Sequence, residues 1–254
     1  MINLTAIYVL WLREIKRFIR AKSRVFAALA MPVFFLAFIG FGFYKIRMPN
    51  IPEGINYINF LVPGIVGMTM LFSSTFAGLS VLWDREFGFL KEIMVAPISR
   101  VSIVIGRIAG GTTTALLQAV AILCISIFMG FKIQGLVGFF ISILFMVLIA
   151  TTFIGLGLIF ASNMRDMQGF GLIMNFIVFP LFFLSGALFP IKNLPSWIRW
   201  LSYVDPLTYG VDGLRGALIG VCSFSVGFNL VVLFVFSLFM IAFGAYFFEK
   251  SEPM

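Results

Sequence analysis

Charged side chains gather in a few short stretches of this 254-residue chain, and two of these hold acids and bases together. Between 83 and 100 stand Asp84, Arg85, Glu86, Lys91, Glu92 and Arg100; between 205 and 215 stand Asp205, Asp212 and Arg215. Two carboxylates such as Asp205 and Asp212 are the raw material of general acid/base chemistry, but no nucleophile or metal-ligand set accompanies them. The chain has no histidine, which removes His-based triads, imidazole metal sites and His proton relays. Cys124 and Cys222 are far apart and read as small apolar packing residues. No G-x-x-x-x-G-K-S/T run is present, so the chain has no P-loop for ATP. What remains is recognition and ion pairing. The first stretch offers docking charges. In the second, Asp205, Asp212 and Arg215, with Tyr209 nearby, form either an outer latch or a local salt bridge.

The elements that must position these groups are membrane helices. Hydrophobic residues make up 61% of the chain and charged residues 11%, against about 45–50% and roughly 25% in soluble domains. A soluble fold cannot cover that much apolar surface, so a soluble enzyme, a disordered chain and a nucleic-acid-binding domain are excluded. The net charge of +8 therefore belongs to a membrane context. Six runs reach the length of about 20 apolar residues that a span needs: 25–44, 60–82, 103–131, 136–161, 169–189 and 226–248. None alternates in the manner of a β-barrel strand. The expected fold is an all-α membrane protein of six transmembrane helices, with an interfacial helix before them and a re-entrant helical hairpin before the last.

Lysine and arginine orient the spans. With the N-terminus inside, twelve of the 18 basic residues fall on the cytoplasmic side, which places both termini in the cytoplasm. The first 24 residues lack the order of a signal peptide, because their apolar stretch precedes the basic cluster. On a helical wheel Leu4, Ile7, Trp11, Ile15 and Phe18 form one stripe, opposite Arg13, Arg17, Arg20 and Arg24. Such a helix should lie flat in the inner headgroup layer with its arginines facing anionic lipid.

The stretch "WDREFGFLKEIMVAPISR", residues 83–100, is polar for this chain but carries Leu90, Ile93 and Met94 at helical spacing, and Pro97 ends the helix before Ser99. A short amphipathic helix beneath the bilayer, with an apolar face between charges, suits docking into a groove of a cytoplasmic partner. The segment resembles the cytoplasmic-loop pattern of type-2 ABC exporter permeases, in which an acidic residue and a nearby glycine precede a Pro-hydrophobic-Ser-Arg ending. Glu86, Gly88, Pro97, Ser99 and Arg100 fill those positions; Phe89 and Lys91 stand where the family often has Thr and Glu. The resemblance implies a coupling helix seated on a nucleotide-binding subunit, with Asp84, Arg85, Glu86, Gly88, Leu90, Pro97 and Arg100 as its contacts.

A second likeness lies at 190–225. Leu194-Pro195 and Asp205-Pro206-Leu207-Thr208-Tyr209 are similar to the segment before the last span of drug-exporter-type members. Trp197, Trp200, Tyr203 and Tyr209 suit the headgroup layer, while Pro195 and Pro206 divide the run into two short helices. The run should dip partway in from outside. The resemblance covers nearly the whole chain, and implies a single transmembrane domain, 1–254, comprising the elbow 1–24, the coupling loop 83–100 and the hairpin 190–225. It also implies a non-enzymatic permease subunit in a prokaryotic cell membrane, paired with a second copy or a related chain. This chain would bind no cofactor; ATP and magnesium would sit on a separate P-loop subunit.

Within the spans, charges are scarce, which argues against ion-coupled transport. Arg107, near the inner end of span three, reads as snorkelling or paired. Ser73, Thr75 and Asn175 are the candidates for a substrate path, with hydrogen bonding between helices as the alternative for each. Gly106 and Gly110 form a small-xxx-small face for close packing. The implied cargo is an amphipathic drug-like or lipid-like molecule; export of a polysaccharide or lipid-linked glycan is the alternative. A channel lacks its charged rings or carbonyl filter here, and a membrane enzyme its polar cluster at depth.

Overall fold

Apolar runs can satisfy their backbone groups in a bilayer only as helices or closed barrels. In the computed structural model, which describes residues 3–43, 49, 51, 55–89, 93, 95, 98–164 and 166–250, regular structure is helical throughout the described residues. The elements are α1 (Leu4–Arg20), α2 (Lys22–Gly42), α3 (Tyr57–Glu86), α4 (Arg100–Phe128), α5 (Gly135–Asn163), α6 (Met167–Ile173), a π-helical stretch (Met174–Val178), α7 (Phe179–Leu184), α8 (Ser196–Val204), α9 (Pro206–Ile219) and α10 (Val226–Lys250). Six of the described helical stretches are long and apolar enough to cross a membrane: Val25–Gly42, α3, α4, α5, the Met167–Leu184 stretch and α10.

Local signals explain several boundaries. Asn3 caps α1 by accepting the Ala6 N–H at 3.1 Å, and Ser99 caps α4 by accepting that of Ser102 at 3.3 Å. Pro206 opens α9 at a position where its missing N–H costs nothing, and Gly220, at φ +70°, ends it in the left-handed region. Pro195 directly precedes α8. The expected span 60–82 instead runs from Tyr57 to Glu86, which puts Asp84, Arg85 and Glu86 on the last turn of α3 rather than in a loop. The helix can continue because Asp84 finds guanidinium partners within the packing. The expected span 169–189 ends at Leu184, because Ser185 and Gly186 turn the chain, Gly186 at φ +73°.

The core lies between α3 and α5. Leu61, Ile65 and Leu71 from α3 and Phe145, Ile149 and Phe153 from α5 are fully buried. The two helices pass so closely at Gly78 and Gly157 that a β-carbon on Gly78 would lie 2.5 Å from the Gly157 carbonyl carbon. Helix α9 is wedged beside both: its Val211 meets Gly67 of α3, and its Gly210 and Gly213 receive Ile149 and Phe145 of α5. By contrast α2, α10 and the Met167–Leu184 stretch leave much apolar surface open, including Phe38, Phe176 and Phe239. Helices facing lipid or another chain look this way.

Helix α1 is where the structure departs most from the wheel. Its Ile7, Leu10 and Glu14 pack on Gly106 and Gly110 of α4, and Trp11 donates its indole N–H to Thr113 Oγ1 at 3.0 Å. The absent β-carbons at Gly106 and Gly110 let the two helices approach. Much of the expected apolar stripe is therefore spent on protein. Arg13 also turns toward a carboxylate of α3, with Arg17 3.8 Å from the same group, because an ion pair in a half-buried setting outcompetes hydration.

Candidate functional site

The carboxylate is that of Asp84, in the last turn of α3 and 4% exposed. Arg13 of α1 grips it with both terminal nitrogens, Nη2 to Oδ1 at 2.7 Å and Nη1 to Oδ2 at 3.1 Å. Arg107 of α4 donates Nη2 to Oδ2 at 2.6 Å and Nη1 to Ser80 Oγ at 3.1 Å. Arg17 stands further off, its Nη1 3.8 Å from Asp84 Oδ1 and 3.8 Å from Glu14 Oε1. One carboxylate thus ties together three helices. The Arg13 guanidinium also lies 3.9 Å above the Phe89 ring, a cation–π contact to a residue of the 83–100 segment.

Both ends of that segment are wired to the helices around it. At its start Arg85 Nη1 donates to the Met164 carbonyl, at the end of α5, at 3.4 Å. At its finish Arg100 Nη1 donates to the carbonyl of Glu249 on the last helix. Gly88 sits at φ +74° with its N–H on the Arg85 carbonyl at 3.1 Å, so the chain turns sharply after α3. Glu86 is exposed. Leu90 and Pro97 lie outside the described residues.

At the opposite ends of α3 and α5 the second charged group surrounds α9. Asp212 accepts the N–H groups of Ser223 and Phe224 at 2.8 and 3.0 Å, and Asn229 Nδ2 at 2.8 Å. Arg215 donates Nη2 to the Gly186 carbonyl at 3.0 Å and lies 3.7 Å above the Phe60 ring. The expected local salt bridge is therefore replaced. Asp212 and Arg215 point to different neighbours, because each finds buried backbone groups that would otherwise go unsatisfied. Asp205 caps α9 by accepting the Leu207 N–H on Oδ1 at 2.9 Å, while its buried Oδ2 has no partner among the described residues. Burial pushes this carboxyl well above the usual range, against the smaller opposing pull of that N–H. Tyr209 donates to the Tyr203 carbonyl at 2.8 Å, bridging α9 to α8.

Two of the path candidates bond within the helical packing and the third is exposed. Ser73 accepts from Gln118 Nε2 at 2.7 Å, joining α3 to α4. Thr75 is buried and donates to Leu71 O of its own helix at 2.6 Å. Asn175 is exposed on the π-helical stretch. Sequence reasoning did not pair Arg13 with Asp84, Ser80 with Arg107 or Asn229 with Asp212. Arg107 carried a signal as an arginine within a span, and its partner is 23 positions earlier. Among the described residues no three Asp, Glu, His or Cys side chains gather as a metal site. The arrangement holds helix ends in register.

Comparison with known proteins gives these features a context. The pattern defining a family described as "ABC-2 type transporter" matches residues 5–219. A putative transport permease, ycf38, of Cyanophora paradoxa is 30% identical over 244 residues, covering 87% of this chain and 82% of its own. The inner membrane transport permease YadH of Escherichia coli (strain K12) is 26% identical over 242 residues, covering 93% and 92%. Nodulation protein J of Sinorhizobium fredii (strain NBRC 101917 / NGR234) is 26% identical over 219 residues, covering 85% and 82%.

Proposed function

Since this chain belongs to the ABC-2 type transporter family, as a multi-pass transmembrane subunit, we propose that it is the permease of an ATP-driven exporter. Both termini lie in the cytoplasm, and a separate P-loop subunit docks under the 83–100 segment and hydrolyses ATP. A second copy or a related permease completes the path. The cargo is an amphipathic drug-like or lipid-like molecule, consistent with spans rich in aromatic residues and poor in charge. In this reading α1 lies in the inner headgroup layer and α8–α9 dip in from the outer face. Ser73, Thr75 and Asn175 border the path, and Asp205, Tyr209, Asp212 and Arg215 hold its outer end shut.

The observation that carries the reading is the wiring around the 83–100 segment. Asp84 with Arg13 and Arg107, Arg85 with Met164, and Arg100 with Glu249 connect it to α1, α4, α5 and α10. These contacts supply a route from this segment into the bundle, which supports reading it as the part that receives force from a partner. The test is purification from native membranes. A P-loop protein should co-purify, the chain alone should hydrolyse no ATP, and Glu86→Ala should lower ATP-driven transport while the permease stays inserted. Normal transport by the chain with no nucleotide-binding protein present would end the proposal.

A further inference from the structure

The ion-pair network at Asp84 leaves cations over. In a shallow, open groove along one face of α1 and its junction with α2 stand Arg13, Lys16, Arg17 and Arg20, with Val9 and Leu12 beside them. Arg13 is committed to Asp84 through both terminal nitrogens. Arg17 reaches neither Glu14 nor Asp84 within hydrogen-bond distance, each being 3.8 Å away. Lys16 and Arg20 are exposed, and no carboxylate lies within ion-pair range of either among the described residues. Counting Arg107, three of these five cations, Arg13, Arg17 and Arg107, lie within 4 Å of Asp84 or Glu14.

Like charges three and four residues apart on one helix face repel each other. A sequence that sets cations at 13, 16, 17 and 20 on one face is relieved by an anion that touches several of them together. The free donors are an ammonium, one guanidinium held just short of its acceptors and a second one in the open, a combination matched to phosphate-type oxygens. The apolar members favour an anion that brings hydrocarbon with it. Val9 is 55% exposed, and Ile19 and Phe26, near the same helix junction, are 61% and 76% exposed.

We propose that this groove is a binding site for the phosphate headgroup of an anionic phospholipid, with Lys16, Arg17 and Arg20 as its ligands and Val9 and Leu12 against the upper acyl chain. The site rests on the reading that α1 lies in the inner headgroup layer. Because Arg17 faces the bound phosphate and Asp84 at once, lipid occupancy and the position of α1 on α3 are linked.

The experiment uses the permease purified with its nucleotide-binding partner, supplied with phosphatidylglycerol or phosphatidylcholine in mixed micelles and followed by native mass spectrometry. The wild type should retain phosphatidylglycerol in preference to phosphatidylcholine. The double variant Lys16→Gln/Arg20→Gln should bind it roughly thirtyfold more weakly, from two charges near an anionic lipid. Lys16→Arg/Arg20→Lys should restore binding, and Lys132→Gln/Lys192→Gln, at the far side of the spans, should leave it unchanged. Equal retention by wild type and the double Gln variant overturns the site. Displacement of the lipid by millimolar inorganic phosphate overturns the lipid assignment in favour of a free anion. A spin label at Leu4→Cys, in a background lacking Cys124 and Cys222, separates the two levels of the proposal. Contact with water alone removes the headgroup-layer reading, whereas lipid contact with unchanged retention removes only the site.

Discussion

Asp84 Oδ2 and Arg107 Nη2 meet at 2.6 Å although the residues are 23 positions apart on different helices, and each is only 4% exposed. A pair this buried is costly to form and costlier to half-remove, because the survivor is left charged in an apolar setting. The second guanidinium, from Arg13, is 28% exposed at its side chain and keeps some water. The cluster therefore has a strong axis, from α3 to α4, and a softer one to α1.

Asp84→Leu should destabilise the permease by about 3–5 kcal/mol, since Arg107 loses its carboxylate. Asp84→Leu with Arg107→Met should recover most of that loss, because the one charge left without its carboxylate, on Arg13, keeps some water. Arg13→Met should cost no more than about 1 kcal/mol, as for a solvent-screened pair. Thermal midpoints in one detergent would rank the three; equal losses for the single and double variants would contradict the axis.

Close helix approach gives a second ranking. A β-carbon at Gly78 would meet Gly157 backbone at 2.5 Å, and one at Gly106 would meet Leu10 Cβ at 2.9 Å, while Gly171 has open space around it. Gly78→Ala should be the most damaging, with overpacking of this kind costing about 1–3 kcal/mol. Gly106→Ala should loosen α1 from α4. Gly171→Ala should be neutral or gain roughly 0.5–1 kcal/mol of helix stability. The yield of monodisperse protein would check the order.

The turn after α3 depends on Gly88 at φ +74°, and among the described residues nothing beyond its chain neighbours lies within 4 Å of where a β-carbon would stand. Replacement there is a matter of backbone conformation alone. Asn tolerates the left-handed region better than Ala, and Ala better than a β-branched residue. ATP-driven transport should fall in the order Gly88, Asn, Ala, Val while membrane insertion stays constant, and a transport assay in vesicles against an insertion assay would show it.

Asp205 provides a pH test. Its folded carboxyl titrates above its usual range, so the native state holds a proton that the unfolded chain gives up near pH 4. The stabilising effect of that proton is complete below the unfolded value and is lost as pH rises toward the folded one, at up to about 1.4 kcal/mol per pH unit. Asp205→Asn keeps an oxygen for the Leu207 N–H but cannot ionise. Its melting temperature should vary less with rising pH than that of the wild type; parallel curves for the two would refute the assignment.

The six spans were legible because each is a long apolar run, and length with composition decides a membrane helix almost alone. Pro195 and Pro206 likewise announced α8 and α9, since each acts on the backbone beside it. What could not be read is whatever depends on a third dimension. Nothing local distinguishes Asp84, which is buried on a helix, from Glu86, which is exposed two residues later. The helical wheel of residues 4–20 showed an apolar stripe but not its neighbour, and the glycine face of α4 that meets it is a hundred residues away. Asp212 and Arg215 looked like a pair because they are three apart on one helix. Their actual partners, Asn229 and the Gly186 carbonyl, are set by how α9 is wedged among its neighbours.

The wide turn at Met174–Val178 has a consequence for chain length. A π-helical stretch holds one residue more than the α-helical turn it replaces. Deleting a single residue there would let the turn relax to α-helical spacing, and Phe170 before it and Phe182 after it would keep the faces they now bury. The same deletion in the middle of α5 would rotate everything beyond it by about 100° and scramble the core. This span alone among the described ones carries a slot where the reading of its faces can absorb the loss of a residue, which makes it the natural place for related chains to differ in length.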